Sequence, residues 1–333
     1  MGAARGSVSR ATVVLALVLA AGWLAGCGGS GDDDRGSSPV RSTTTEPTVP
    51  ARDFSRAGVA VIAHRGASAY APEHTTAAYT LAVEQGADYL EQDVQLTADG
   101  ELVVLHDPVL DRTARGPAAS CTGPVSEKTV ADLTSCDMGS WFNEAHPDLA
   151  EATFSSQRLL RLADVLDDYG DEVRYYIEIK APDEQPGMVD ALLEVLAEHG
   201  PEADDPVLPP VVVQSFSAEA LRQIHERRPE LPLVQLIPAV GTAPDGAALD
   251  GIAEYAVAIG PAKELVTREL VEAAAERCLD VHPYTVEDSS EMAGLLDLRV
   301  GGLFTNSPDV LRRLLPEQPL DTGLCPARAT AGS

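Results

Sequence analysis

The chain has 333 residues, of which 44% are hydrophobic and 23% are charged, a composition typical of a globular protein. Its net charge is −28 and its pI is about 4.4, so its surface repels nucleic acids and anionic lipid headgroups. We therefore expect no nucleic-acid partner. An anionic small molecule would need a site made locally positive by a metal ion or an arginine.

The N-terminal segment is typical of a secretory signal. Arg5 and Arg10 are the only charged residues before residue 27, and the run from Ala11 to Gly26 is uncharged and mostly apolar. A membrane span needs about 20 apolar residues, so this run is short for one. It ends in Leu24-Ala25-Gly26-Cys27, which resembles a bacterial lipobox. We predict a lipoprotein signal peptide over residues 1–26 and lipidation of Cys27; an ordinary signal or a short anchor helix is the alternative.

This signal predicts an exported protein anchored to the outer face of the cell membrane. Cleavage removes two positive charges and takes the net charge from −28 to −30, so acyl chains, not Coulombic attraction, must hold the protein there. Residues 27–52 are rich in Gly, Ser, Thr and Pro and are predicted to be a flexible tether. Residues 53–320 are predicted to be one domain, of a length that suits an α/β barrel, and residues 321–333 a tail.

Four cysteines remain in the exported part, and export permits disulfides. Three pairings are possible, and the sequence does not choose among them. We favour Cys121–Cys136, which are 15 residues apart. A disulfide closing a loop of this size stabilises the fold by about 3 kcal/mol. The other pair would then be Cys278–Cys325, which ties down the tail.

Short apolar runs alternate with helical patterns along the domain. The predicted strands are Val59–Ala63, Tyr89–Leu96, Leu102–Leu105, Tyr175–Ile179, Val211–Gln214, Leu233–Leu236, Tyr255–Ala258 and Gly302–Thr305. The predicted helices are Thr75–Gln85, Leu160–Tyr169, Met188–His199, Ala218–Arg227, Arg268–Arg277, Glu287–Leu296 and one that Ser307 caps, with Pro308 in its first turn. Such alternation implies a parallel sheet, either a barrel or a doubly wound sheet. No Gly-x-Gly-x-x-Gly sequence follows the first predicted strand, and this disfavours a dinucleotide-binding sheet.

Two features break the alternation. Asp99-Gly100 joins two apolar runs and predicts a hairpin turn. The stretch from Pro108 to Gln157 is polar and weakly periodic, and we predict an insertion that covers one end of the barrel without a core of its own.

Glu91 and Asp93 are separated by one residue on a predicted strand, so they share a face. Two carboxylates on the inward face of an apolar strand are costly unless a cation pairs with them. Oxygen ligands suit a hard cation such as Ca²⁺ or Mg²⁺. A solvent-facing strand edge is the alternative for this pair.

Three further strand ends carry polar residues. His64-Arg65-Gly66 ends the first strand, where a barrel places its active site. His64 suits general acid–base catalysis. The planar guanidinium of Arg65 could donate two hydrogen bonds to a phosphate. A structural histidine is the alternative for His64. His106 ends the third apolar run and supplies a second histidine. Glu178 and Lys180 share a face of a later strand; a plain surface ion pair is the alternative for them.

Together these strand ends predict metal-assisted displacement at phosphorus, with one histidine taking a proton and the other giving one. The residues closely resemble the glycerophosphodiester phosphodiesterase family, especially its exported, glycerophosphodiester-specific branch. The resemblance rests on these motifs, which occur in the family's order: His64-Arg65-Gly66, Pro72-Glu73-His74-Thr75, Gly86-Ala87-Asp88, Glu91-Gln92-Asp93-Val94, Asp99-Gly100, Val103-Val104-Leu105-His106-Asp107, Leu110-Asp111-Arg112-Thr113, Ile177-Glu178-Ile179-Lys180, His282-Pro283-Tyr284-Thr285-Val286 and Gly302-Leu303-Phe304-Thr305.

The resemblance implies a (β/α)₈ TIM barrel with an insertion after the second strand, at about residues 107–157. It implies one divalent cation, with Ca²⁺ favoured and Mg²⁺ as the alternative. The implied roles are as follows: His64 and His106 as the acid–base pair; Glu91, Asp93 and Glu178 as metal ligands; and Arg65, Glu73, Lys180, Tyr284 and Phe304 as substrate-binding residues. The implied reaction hydrolyses a glycerophosphodiester to sn-glycerol 3-phosphate and an alcohol.

Two positions depart from the family's pattern. Asn306 stands where the family often has Asp, and Glu287 where a basic or amide residue is common. Three other functions stay open: a phospholipase, a phosphodiesterase acting on a wall polymer, and a lipoprotein that binds a phosphodiester without turnover.

Overall fold

The computed structural model of the protein describes residues 58–201 and 208–316. Its strands are β1 (Ala60–Ala63), β2 (Tyr89–Leu96), β3 (Leu102–Val104), β4 (Tyr175–Ile179), β5 (Val211–Ser215), β6 (Leu233–Ile237), β7 (Ala258–Pro261), β8 (Asp280–Val281) and β9 (Gly302–Thr305). The α-helices are Thr76–Glu84, Ala118–Cys121, Val130–Leu133, Ser140–Ala145, Leu162–Tyr169, Met188–His199, Ala218–Arg227, Gly246–Ile252, Arg268–Ala275, Ser289–Asp297 and Pro308–Leu314.

Eight of the strands are parallel neighbours in the order β8-β7-β6-β5-β4-β2-β1-β9. The two ends of this path meet through backbone hydrogen bonds, from Gly301 N to Val281 O (3.1 Å) and from Val286 N to Phe304 O (2.8 Å). The sheet is therefore a nearly closed barrel, and the predicted α/β fold class is confirmed. β3 stands outside the parallel set because it is antiparallel to β2. The two form a hairpin whose turn contains Gly100 at φ +84°, as Asp99-Gly100 predicts.

Alternation along each strand divides the core into two parts. Val61 and Ala63 belong to the large outer cluster, in which the helices pack on the sheet. Ala60 and Ile62 belong to a smaller inner cluster that fills the barrel, and its other members are Tyr89, Tyr176, Val212, Val234, Ala258 and Phe304. The inner face of each strand is thus apolar at its beginning, and polar side chains on that face occur only farther along the strand.

The segment between β3 and β4 contains short helices and a small core. Its buried cluster comprises Val103, Leu105, Leu110, Ala114, Cys121, Val125, Leu133, Cys136 and Met138. The prediction that this insertion lacks a core of its own is therefore wrong, because apolar residues spaced irregularly along the chain still converge on β3. The disulfide Cys121–Cys136 lies in this cluster, with the two Cα atoms 5.5 Å apart, which confirms that predicted pairing. Cys278 is also disulfide-bonded; its expected partner, Cys325, lies outside the described residues.

Four points of the predicted secondary structure need correction. The strand expected at Tyr255–Ala258 is instead Ala258–Pro261, and Tyr255 packs in the outer core with its hydroxyl donating to Gln235 Oε1 at 2.7 Å. The helix Gly246–Ile252 and the strand Asp280–Val281 were not predicted. Ser307 precedes the last helix, but its side chain makes no cap hydrogen bond.

Among the described residues, no helix combines the length and the apolar character that a membrane span requires. The signal peptide, the tether with Cys27 and the C-terminal tail lie outside the described residues, so the domain boundaries stay predictions.

Candidate active site

The inner faces of four strands change from apolar to polar as they reach the carboxyl end of the barrel. On the inner face of β1, Ile62 is followed by His64, and on that of β9, Phe304 is followed by Asn306. On β2, Tyr89 is followed by Glu91 and Asp93. On β4, Tyr176 is followed by Glu178 and Lys180. The strand register sets Asp93 directly opposite Glu178. The parallel barrel therefore gathers these side chains at one end, where barrel enzymes place their active sites.

A tight turn follows β1. Gly66 has φ +83°, and a Cβ there would lie 2.7 Å from the carbonyl carbon of Ala78, so only glycine fits. Arg65 is also left-handed, with φ 59°, a conformation that costs a non-glycine residue about 1–2 kcal/mol. In this conformation the Arg65 backbone N–H donates to Glu91 Oε2 at 2.7 Å. The turn therefore fixes the first strand end against the carboxylates of β2.

His64 is held through one ring nitrogen. Its Nδ1 lies 2.7 Å from Asn306 Oδ1, and because an amide oxygen only accepts, Nδ1 carries the proton. Burial, with the Arg65 charge beside the ring, lowers the pKa of His64 to about 3. The imidazole is therefore neutral, and its Nε2 has a lone pair available to a proton.

His106 has the same arrangement with a different partner. Its Nδ1 lies 2.6 Å from Asp107 Oδ1, and its backbone carbonyl accepts a hydrogen bond from Gln95 Nε2 at 2.9 Å. Burial lowers the pKa of His106, although the charge of Asp93 and the hydrogen bond to Asp107 act in the opposite direction. Both histidines are thus anchored through Nδ1, one after β1 and the other after β3, and each of these strands pairs with β2.

Three carboxylates, those of Glu91, Asp93 and Glu178, are buried side by side. Burial and the negative charge of Asp93 raise the pKa of Glu91 well above its usual range, and the same two causes raise that of Glu178 to about 8. Burial also acts to raise the pKa of Asp93, but the charge of Lys180 and the hydrogen bond from His74 outweigh it and hold this pKa well below its ordinary value. The raised pKa values of Glu91 and Glu178 mean that the surrounding groups do not stabilise three negative charges at once.

Two cations face this cluster. Lys180 Nζ lies 2.9 Å from Glu178 Oε1 and 3.5 Å from Asp93 Oδ1, and Arg65 Nε lies 3.3 Å from Asp93 Oδ2. Three carboxylates against two cations leave one uncompensated negative charge when all are ionised. A bound divalent cation would turn this into a net positive charge, which suits a phosphodiester anion. The donor set fits a hard cation because its atoms are carboxylate oxygens.

One group of described residues, His74, Glu91 and Asp93, offers ligand atoms that all lie within 4.8 Å of one another. This group differs from the predicted ligands, Glu91, Asp93 and Glu178, because it contains His74 in place of Glu178. Both ring nitrogens of His74 are already engaged, Nδ1 with the Tyr79 hydroxyl at 3.0 Å and Nε2 with Asp93 Oδ2 at 2.9 Å. We therefore interpret His74 as the residue that orients Asp93, an outer partner typical of metal sites. The sequence analysis assigned His74 no role.

A pocket of about 220 Å³ opens above this cluster. It is lined by His64, Arg65, Glu91, His106, Glu178, Lys180, Gln214, Phe216, Leu236, Tyr284, Thr285 and Phe304. Charged and histidine side chains from the ends of β1 to β4 line one side of the pocket, and mainly apolar side chains line the opposite side. The Tyr284 hydroxyl donates to Ile237 O at 2.9 Å, and its ring stands edge to face with Phe216 at 6.0 Å. One wall is thus charged and the other largely apolar.

The model of the glycerophosphoryl diester phosphodiesterase family matches residues 64–310, well over half of the chain. The chain belongs to this family. A glycerophosphodiester phosphodiesterase from Bacillus subtilis (strain 168) is 42% identical over 257 residues, which cover 77% of this chain and 86% of that protein. One from Caldanaerobacter subterraneus subsp. tengcongensis is 32% identical, over 77% of this chain and 97% of that protein. The predicted enzyme class, a phosphoric diester hydrolase, is confirmed.

Solved structures agree on the fold. A glycerophosphodiester phosphodiesterase from Agrobacterium tumefaciens str. C58 has a TM-score of 0.61 and 26% identity, covering 76% of this chain and 99% of that chain. A phosphodiesterase from Oleispira antarctica, in complex with the product sn-glycerol-3-phosphate, has a TM-score of 0.66 and 24% identity, covering 78% of this chain and 98% of that chain.

In this member of the family, Glu73 lies behind Arg65. It accepts hydrogen bonds from Arg65 Nη1 at 3.1 Å and from both Nη atoms of Arg112 at 2.8 Å. Burial opposes its ionisation, but the hydrogen bonds from Arg112 and the charge of Arg65 lower its pKa to about 2. Its contacts in the structure are with these two arginines, and the substrate-binding role expected for Glu73 from the sequence stays a prediction. The roles of the predicted site residues stay predictions.

The sequence analysis missed several residues that contact this site. Asn306 was noted only as a departure from the family's pattern, yet it lies against His64. Gln214, in β5, and Phe216, which directly follows that strand and is 44% exposed, both line the pocket and were not predicted. Glu287, the second departure, accepts a hydrogen bond from the Asn306 backbone at 3.0 Å.

Proposed function

We propose that the protein is an exported, lipid-anchored, metal-dependent enzyme that hydrolyses glycerophosphodiesters to sn-glycerol 3-phosphate and an alcohol. One observation carries the proposal. Two neutral histidines line a pocket together with the buried carboxylates of Glu91 and Glu178, an arginine and a lysine, and the third carboxylate, Asp93, is buried beside them. Membership of the family supports the same reaction, and deacylated phospholipids such as glycerophosphocholine are the expected substrates.

Glu91, Asp93 and Glu178 are the residues that would hold one divalent cation. We favour Ca²⁺ over Mg²⁺, since the ligands are oxygens and Mg²⁺ demands a stricter octahedral geometry. When bound, the cation would polarise a phosphoryl oxygen and offset the charge of the phosphodiester.

Arg65 and Lys180 bind the phosphate in this proposal. Their side chains are 17% and 16% exposed, so each is mostly desolvated yet still reaches the pocket. Each already faces a carboxylate, which holds its charged group in place before substrate arrives. Charged groups fixed in advance stabilise developing charge without reorganising during the reaction.

His64 and His106 move the protons. One takes a proton through Nε2 from the attacking oxygen as that oxygen bonds to phosphorus, and the other gives a proton to the alcohol oxygen as its bond to phosphorus breaks. A bound phosphodiester anion stabilises the protonated form of the donating ring, which offsets the lowered pKa. A substrate with a p-nitrophenol leaving group needs no such proton, so the alanine variant of the proton donor keeps its activity on that substrate and loses it on glycerophosphocholine.

Tyr284 and Phe304 contact the glycerol end of the substrate in this proposal. Both line the apolar side of the pocket, and Phe304 continues into the inner core, where its ring lies 5.0 Å from that of Tyr176. A rigid apolar wall suits the carbon face of glycerol.

The decisive test is a substrate panel with coupled detection of glycerol 3-phosphate, run with Ca²⁺, Mg²⁺ and excess chelator. We expect release from glycerophosphocholine and glycerophosphoethanolamine only with metal. Full activity in His64→Ala, or in chelator, would contradict the mechanism. Preference for intact phospholipid or for a glycerophosphate wall polymer would favour those activities, and binding without turnover under any metal would favour a binding lipoprotein.

Lipid anchoring through Cys27 is tested separately. We expect cells expressing the full chain to incorporate labelled fatty acid into the wild type, and Cys27→Ala to lose both the label and membrane retention. Unlabelled, secreted wild-type protein would contradict the proposal.

A further inference from the structure

Arg112, in the insertion after β3, bridges two carboxylates. Its Nε donates to Asp107 Oδ2 at 2.6 Å, and its two Nη atoms donate to the two oxygens of Glu73 at 2.8 Å each. The second contact is a two-pronged arginine–carboxylate pair, the geometry that fixes both groups most firmly. Arg112 itself does not line the pocket.

Each of the two carboxylates holds a residue that does line the pocket. Asp107 uses its other oxygen, Oδ1, to hold His106 Nδ1 at 2.6 Å. Glu73 uses Oε1 to hold Arg65 Nη1 at 3.1 Å. The guanidinium of Arg112 is thus connected through Asp107 to His106, and through Glu73 to Arg65.

The bridge determines where the His106 ring points. Asp107 is 24% exposed at its side chain, so without a second partner water would compete for its oxygens. With Arg112 on Oδ2, the carboxylate is fixed at both ends, and Oδ1 keeps the proton of His106 on Nδ1. The Nε2 of His106 is then directed to the pocket with a lone pair.

Arg112 is in turn held by the insertion. Its guanidinium lies over the ring of Trp141, 5.7 Å from the centroid, and its carbonyl accepts from Arg115 Nη1 at 3.1 Å. Leu110, two residues before it, is buried in the cluster that contains the disulfide Cys121–Cys136. The insertion is therefore a rigid support for this side chain.

We propose that Arg112 is a positioning residue of the hydrolase, which orients His106 through Asp107 and Arg65 through Glu73. The inference rests on the proposed function, because it assigns no chemistry to Arg112 itself. It gives the insertion a function beyond covering the barrel: the insertion fixes the geometry of two pocket residues.

The test compares Arg112→Ala with the wild type, using glycerophosphocholine and saturating Ca²⁺. We expect kcat to fall about 10- to 100-fold, the usual effect of losing an outer partner, while KM changes much less. Millimolar guanidinium should restore much of the lost kcat in Arg112→Ala, because the site is 40% exposed, and should leave the wild type unchanged. A merely structural role would not give such rescue.

Arg161→Ala is the matched control. Arg161 has the same 40% exposure and also faces two carboxylates, Glu101 and Asp164, but these contact no pocket residue. We expect Arg161→Ala to keep wild-type kcat and to show no response to guanidinium.

A double-mutant cycle tests the route through Asp107. If Arg112 acts through Asp107, Asp107→Asn and Arg112→Ala together cost little more than the larger single effect. Wild-type kcat in folded Arg112→Ala, or fully additive effects, would overturn the inference. If Arg112→Ala does not fold, Arg112→Lys, which keeps the charge but cannot bridge both carboxylates, replaces it. An inactive wild type would instead refute the proposed function.

Discussion

Replacing Glu73 by Gln removes a charge whose energetic contribution follows directly from the structure. The Glu73 side chain is only 10% exposed, and it accepts hydrogen bonds from Arg65 and Arg112. Gln keeps the shape of the side chain but not its charge. The substitution therefore isolates the electrostatic part of this network.

The magnitude follows from the pKa of Glu73, which the two arginines lower from 4.5 to about 2 against the effect of burial. A lowered folded-state pKa adds stability that is fully present above the unfolded value of 4.5 and is lost as the pH falls through about 2. The difference corresponds to about 3 kcal/mol at neutral pH. Protonated Glu73 resembles Gln in shape and charge, so the two proteins should converge in stability near pH 2.

The assay is urea unfolding of the wild type and Glu73→Gln, at neutral pH and then at falling pH, in chelator so that metal binding does not contribute. Glu144→Gln is the control, because Glu144 is 58% exposed and pairs at the surface with Arg115. We expect the control to change stability by less than about 0.5 kcal/mol. The reasoning would be refuted if Glu73→Gln lowered the free energy of unfolding by no more than the control does. It would also be refuted if the difference between Glu73→Gln and the wild type did not decrease as the pH falls.

Three further predictions concern the disulfide, the orientation of His64 and the first turn. Cys121→Ala with Cys136→Ala should lower the free energy of unfolding by about 3 kcal/mol, measured in urea; no change would contradict the role of the bridge. Asn306→Asp should raise the pKa of His64, because a carboxylate stabilises imidazolium, and so move to higher pH the limb of the kcat profile that His64 controls; limbs that both stay in place would contradict this. Gly66→Ala should lower the free energy of unfolding by at least about 1–3 kcal/mol, measured by thermal unfolding. A variant as stable as the wild type would show that the turn tolerates a Cβ.

Much of the barrel could be predicted because most of its strands are short, predominantly apolar runs. Tyr89–Leu96, Tyr175–Ile179 and Gly302–Thr305 have their predicted bounds, since each is buried on both faces. Asp280–Val281 has only two residues and is too short for any periodicity. The apolar run at Tyr255 is buried by tertiary packing, although it is not a strand.

The polar side chains of the site could be located because they occupy strand ends, but their partners could not. His64 and Asn306 are 242 residues apart in sequence, and only closure of the barrel brings them together. Arg112 lies in the polar insertion, and although the motif Leu110-Asp111-Arg112-Thr113 contains it, the sequence does not reveal its contacts with Asp107 and Glu73. His74 contacts Asp93 from a loop with φ 56°, a conformation that the sequence does not reveal.

The central claim is that buried carboxylates hold a divalent cation needed for hydrolysis of glycerophosphodiesters. The most direct measurement is the rate of glycerol 3-phosphate release from glycerophosphocholine by metal-free protein titrated with Ca²⁺, beside Glu91→Gln. The account predicts no release without metal, saturable activation of the wild type, and loss of activation in Glu91→Gln. Release by the metal-free wild type at the full rate would contradict it.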